Sequence, residues 1–60
     1  MAPSPPALPA RVVALEEAAL GGAKAGALLQ RIEELEEAVL GESSGGAMPA
    51  RVAALEAALS

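Results

Sequence analysis

Aliphatic residues recur along the chain in alternating steps of four and three, and this spacing occurs in three separate segments. Such alternation places the aliphatic side chains on one stripe of an α-helix, at the a and d positions of a heptad. Ala, Glu and Arg fill most of the remaining positions and favour helix. The pattern therefore predicts an all-α chain of three short amphipathic helices, each with a narrow apolar seam.

The three segments are copies of one unit with a period of twenty residues. Arg11, Arg31 and Arg51 hold equivalent positions, and a Leu and a Glu follow each Arg four and five residues later. Internal duplication, natural or designed, is the simplest explanation. The predicted repeats are residues 8–20, 28–40 and 48–60 of one module that spans residues 8–60.

Glycine-rich segments separate the repeats and predict that the helices are not continuous. Gly21 and Gly41 lie where a left-handed helix cap is expected, and Pro9 and Pro49 lie where a first-turn proline is tolerated. The predicted helices run approximately from Pro9 to Leu20, Ala27 to Leu40 and Pro49 to Leu59.

The linkers at residues 21–27 and 41–47 are short, which favours helical hairpins in a small up-down-up bundle. A parallel return of each helix stays open, because an extended linker of this length spans roughly 24 Å and the helix about 18 Å. Without a disulfide or a metal cluster, so small a core is expected to need a second copy or a larger partner.

Residues 1–7 form a Pro-rich amino-terminal arm, which is expected to be disordered and does not resemble a secretory signal. The stretch from Pro6 to Arg11 also fits the Pro-x-x-Pro-x-Arg pattern of extended ligands for SH3 domains. The arm is therefore a candidate linear motif.

Charged residues flank the apolar seam on both sides. If Leu8 is at d, the repeated Arg falls at g, and Glu16, Glu36 and Glu56 fall at e. Arg near a helix start and Glu further along both oppose the helix dipole, so a compensating contact is expected. A contact from Arg to the Glu five places later on a parallel neighbouring helix supplies it. Arg31 is thus expected to pair with Glu36 of a neighbouring helix.

Each repeat contains the hexapeptide pattern Arg-h-x-x-h-Glu, in which h is aliphatic. The three hexapeptides begin at Arg11, Arg31 and Arg51 and read RVVALE, RIEELE and RVAALE. They resemble the motif of short parallel three-stranded coiled coils. The resemblance implies that the Arg stem covers the core and that its guanidinium group meets Glu of the adjacent strand. The middle repeat is also similar, from Gln30 to Gly41, to the opening segment of a small dynactin subunit.

Composition excludes most chemistry, because the chain has no His, Cys, Asp or aromatic residue. A net charge of −4 argues against nucleic acid, and no apolar stretch is long enough for a membrane span. Lys24 and the Ser43-Ser44 pair lack neighbours that activate a nucleophile, and the Glu cluster of the second repeat reads as a solvated face. We expect no enzyme activity, cofactor, metal site or small-molecule substrate. The cellular compartment is left open.

Two function classes fit this sequence. The first is a non-enzymatic helical assembly or interaction module that associates with itself or a larger complex, with protein helices as partners. The second is a largely disordered linear-motif carrier, whose Pro-rich arm or single helix folds on a receptor. The predicted interface comprises Val12, Leu15, Leu28, Ile32, Leu35, Val39, Val52, Leu55 and Leu59, with Arg11, Arg31, Arg51, Glu16, Glu36 and Glu56 beside them. Ile32 and Leu35 are expected to make the most tightly buried contact.

Overall fold

The computed structural model describes residues 7–60, in which α-helix is the only regular secondary structure. The helices are α1 (Leu8–Leu20), α2 (Leu28–Leu40) and α3 (Met48–Leu59). The predicted all-α chain of three short helices is confirmed, and each predicted boundary lies within one residue of the observed one. Residues 1–6 of the arm that was predicted to be disordered lie outside the described residues.

The helix ends follow from the residues that flank them. Gly21 and Gly41 end α1 and α2 in the left-handed conformation, with φ of 81° and 84°, which glycine adopts without steric cost. The three helices begin after Ala7, Ala27 and Ala47, and an alanine side chain cannot accept a hydrogen bond from the first turn. The helix starts therefore rely on packing rather than on side-chain caps.

The core is built from two aliphatic residues of each helix, taken from the central a and d positions of its seam. All three pairs of helices contact one another around this core. Six apolar residues of the outer turns are partly buried against it, namely Leu8, Ala19, Leu20, Leu28, Val39 and Met48. The seams that were predicted to receive partner helices are therefore filled from within the chain. The core residues are Val12, Leu15, Ile32, Leu35, Val52 and Leu55.

The two linkers fold in the same way. Gly26 and Gly46 both have positive φ, at 120° and 109°, and Ala27 and Ala47 both enter the next helix from an extended conformation. The rotation and translation that relate α1 to α2 are therefore close to those that relate α2 to α3. The ion pairs between the helices repeat with the same period of twenty residues.

A third equal step returns to the first helix, because Arg11 of α1 pairs with Glu56 of α3 in the same manner. If each helix ran antiparallel to the next one around the ring, three successive reversals would make α1 antiparallel to itself, which is impossible. The contacts thus fit three helices that run parallel around an approximate threefold axis. The same contacts fit the parallel return that the linker length left open, and not the up-down-up hairpins that the short linkers were expected to favour.

Candidate functional site

Three ion pairs join the helices into a closed belt, which we call the Arg–Glu ring. Each Arg uses Nε and Nη2 to donate to one carboxylate, in the two-pronged geometry that makes guanidinium–carboxylate contacts strong. The Nη2 to Oε1 distances are 2.6 to 2.7 Å. Every helix thus donates from its Arg to one neighbour and accepts through its Glu from the other. The pairs are Arg11 with Glu56, Arg31 with Glu16, and Arg51 with Glu36.

The position of each charge within its helix explains why the ring forms. In every helix the Arg lies in the first turn and the Glu lies five residues later, on the other side of the apolar seam. In a parallel bundle the Glu edge of one helix therefore faces the Arg edge of the next. The Arg side chains therefore cross the helix interfaces to reach the carboxylates.

The three pairs differ in burial. The Glu16 and Glu36 side chains are fully buried, whereas that of Glu56 is 42% exposed. Among the arginines, Arg51 is the only buried residue within the described range. The pair of Arg51 with Glu36 is therefore the most enclosed of the three, and low exposure to water strengthens an ion pair that keeps all its hydrogen bonds.

The linkers enclose the two buried carboxylates, because each linker runs back along the helix that precedes it. Lys24 lies beyond the end of α1, yet its backbone N–H donates to Glu16 Oε1 at 3.2 Å. The Ser44 N–H donates likewise to Glu36 Oε1 at 3.3 Å, and the Ser44 hydroxyl donates to Oε2. Each buried carboxylate thus joins its own helix, the following linker and the next helix.

These hydrogen bonds stabilise the charged form of each carboxylate. Arg51 is the main cause that lowers the Glu36 pKa from 4.5 to about 2, with further bonds from Ser44, while burial acts in the opposite direction. Arg31 lowers the pKa of Glu16, helped by the Lys24 N–H, and Arg11 lowers that of Glu56. All three carboxylates of the ring are held ionised at neutral pH.

The predicted interface residues fall into three structural groups. Six of the aliphatic residues form the core, and the six charged residues form the ring. Leu28 and Val39 are partly buried against the core, while Leu59 at the end of α3 is exposed. Ile32 and Leu35 are fully buried, but so are Val52 and Leu55. A role for any of these residues in binding another protein stays a prediction.

Two features of the ring escape the sequence pattern. Arg31 pairs with Glu16, the repeat equivalent of its expected partner, whereas Glu36 lies on the same helix as Arg31 and pairs with Arg51. The donors that Lys24 and Ser44 share are backbone N–H groups, which every residue other than proline carries, and the Ser44 hydroxyl adds a side-chain bond to Glu36. The only sequence signal is that Lys24 and Ser44 occupy equivalent positions of the repeat.

No cavity opens on the surface of residues 7–60. Within this range no group of three or more His, Cys, Asp or Glu side chains is placed to hold a metal ion. None of the three helices combines the length and apolar character that crossing a membrane requires. Pro9 and Arg11 of the Pro-x-x-Pro-x-Arg pattern lie within α1, so that half of the pattern is helical rather than extended.

We found no match to the chain among protein families, curated proteins or solved structures.

Proposed function

We propose that the chain is a non-enzymatic helical assembly module, which binds a helix of another protein through the same seam and Arg–Glu contacts that join its own helices. The observation that carries the proposal is the closed Arg–Glu ring. Because each helix presents a donor edge and an acceptor edge, every helix is complementary to a helix of its own kind. Because the ring is closed within the chain, a partner helix with this pattern would make the same contacts by taking the place of one of the chain's own helices.

The chain also keeps apolar surface that its own helices do not cover. Leu29, Leu40 and Leu59 are 46%, 43% and 40% exposed, and all three lie at helix ends. In a parallel bundle the last residues of α2 and α3 share one end, so Leu40 and Leu59 add apolar surface where a partner would extend the bundle. Single exposed leucines are common, and these support the proposal only as an addition to the ring.

Capture of a helix in trans provides a direct test. The probe is a fluorescently labelled peptide of residues 27–41, which carries the complete seam of α2 together with Arg31 and Glu36. Its anisotropy should rise and saturate as the unlabelled full chain is added. The matched control is the same peptide with Ile32→Ser and Leu35→Ser, which keeps both ring charges but loses the two core residues of the seam.

The outcomes decide between the function classes. Saturable binding of the peptide but not of the control supports the assembly module. Equal signals from both peptides, or no signal up to about 1 mM chain, would show that the seams serve only the chain's own fold. Circular dichroism of the full chain on dilution tests the linear-motif carrier, because that class stays non-helical at every concentration without its receptor.

A further inference from the structure

We propose that α3 is an exchangeable element, and that the groove between α1 and α2 takes α3 of a second copy of the chain as it takes its own. This inference rests on the proposed function and names the partner as the chain itself. The two chains would each donate α3 to the other and form two complete three-helix units.

The groove is defined by the face that α1 and α2 turn toward α3. Its floor is aliphatic, and its two edges carry opposite charges within the Arg–Glu ring. Arg11 stands on the α1 edge and Glu36 on the α2 edge. The floor residues are Val12, Leu15, Ile32 and Leu35.

Helix α3 carries the complement of this groove. Val52 and Leu55 complete the core, and both are fully buried. Arg51 donates three hydrogen bonds to Glu36, while Glu56 accepts two from Arg11. A helix without the Arg would leave the buried Glu36 carboxylate without its ion-pair partner, so the groove selects for charge as well as for shape.

The second copy is the occupant because its α3 makes every one of these contacts without any change in the groove. The preference for the chain's own α3 then rests on the linker, which supplies a high effective concentration of the attached helix. That linker has to run back along α2, and the bonds from Ser44 to Glu36 mark its course. Its length is therefore the variable that decides between the two occupants.

Deletion of Gly45 and Gly46 tests the proposal in the full chain. The deletion keeps Ser44 on Glu36 and removes two residues from the remaining path, which shortens its reach by about 7 Å. The shortened linker then cannot place α3 in register in the groove of its own chain. It does not restrict α3 in this way when the groove belongs to a second copy. Light scattering should report the mass of two chains at a concentration where the unmodified chain has the mass of one, with helicity retained.

Two further variants keep the outcome interpretable. Insertion of two glycines after Gly46 lengthens the same linker and should leave the mass of one chain. Val52→Asp with Leu55→Asp in the shortened chain should restore that mass, because the altered α3 no longer fits either groove. The proposal is overturned if the shortened chain stays helical at the mass of one chain, or loses its helix without gaining mass. If the labelled peptide binds the full chain but the shortened chain forms no dimer, the proposed function stands and only the exchange of α3 is rejected.

Discussion

The guanidinium group of Arg51 binds both carboxylate oxygens of Glu36, although the two residues belong to different helices. Nε lies 3.2 and 3.1 Å from Oε1 and Oε2, and Nη2 lies 2.6 Å from Oε1. The same carboxylate accepts bonds from Ser44 of the intervening linker. One ionised group thus links α2, its following linker and α3, so the charge state of Glu36 bears on the whole fold.

Acid should unfold the chain in a defined pH window. The folded-state pKa of Glu36 is about 2, against an ordinary value of 4.5, so the unfolded chain binds the proton more tightly. The stability from this group is present above pH 4.5 and is lost as the pH falls toward 2. Glu16 and Glu56, whose pKa values are also lowered, act in the same direction. Urea titrations at pH 7, 4.5, 3 and 2 should show a constant free energy of unfolding down to about pH 5 and a decline below it.

The matched variant for this prediction is Glu36→Gln, which keeps the shape of the side chain and removes its titration. It should be less stable than the unmodified chain at pH 7 and should lose less stability between pH 4.5 and 2. An acid profile identical to that of the unmodified chain would contradict the role assigned to Glu36.

The partner of Arg31 can be identified by a double-mutant cycle. Arg31→Met and Glu16→Gln should each destabilise the chain, and the double variant should be more stable than the sum of the two effects predicts, because both changes remove one contact. The control cycle joins Arg31→Met to Glu36→Gln. Since Glu36 pairs with Arg51, the changes in stability should be closer to additive in this control cycle. Thermal unfolding measures the stability of the variants in both cycles. Stronger coupling in the control cycle would reverse the assignment.

Core burial makes Leu35 a sensitive position. Leu35→Ala removes a fully buried side chain and should cost about 2 to 5 kcal/mol of unfolding free energy. Leu40→Ala is the control on the same helix, because Leu40 is 43% exposed and should cost much less. Chemical denaturation with circular dichroism compares the two, and equal losses would show that Leu35 is not in the core.

The helix cap at Gly41 depends on its positive φ of 84°, and nothing within 4 Å would meet an added Cβ. Gly41→Ala should therefore cost about 1 to 2 kcal/mol from backbone strain alone. Gly45 also has open space around it but does not have positive φ, so Gly45→Ala should be neutral or slightly stabilising. Thermal melts of the two variants separate backbone strain from a general intolerance of the linker to side chains.

Local sequence rules account for the helices and the core of this chain. The spacing of Val12 and Leu15 and their repeats specifies the buried stripe, and Gly21 and Gly41 specify where two helices end. Both signals act within one turn of helix, where neighbouring residues alone determine the conformation.

The direction of the helices and the burial of the carboxylates depend on contacts between distant residues. A linker of this length permits either direction, and in this structure the parallel direction is accompanied by linker bonds to Glu16 and Glu36. Those two bonds come from the backbone N–H groups of Lys24 and Ser44, which no side-chain pattern predicts, and only the Ser44 hydroxyl adds a side-chain contact. For the same reason a Glu at e was expected at the margin of the seam, whereas two of the three are fully enclosed.

The donation of the Lys24 and Ser44 N–H groups to buried carboxylates has a consequence for how these amide protons exchange with solvent. Glycine-rich connections ordinarily exchange quickly, because their amides open without unfolding the rest of the molecule. Here, release of either amide leaves a buried carboxylate with fewer hydrogen bonds, so opening of the linker is coupled to opening of the helices beside it. In deuterium exchange these two amides should therefore be slow and follow the core helices, while those of Gly45 and Gly46 exchange at once. The part of each linker that binds a carboxylate is thus expected to unfold together with the helices, unlike the glycines that follow Ser44.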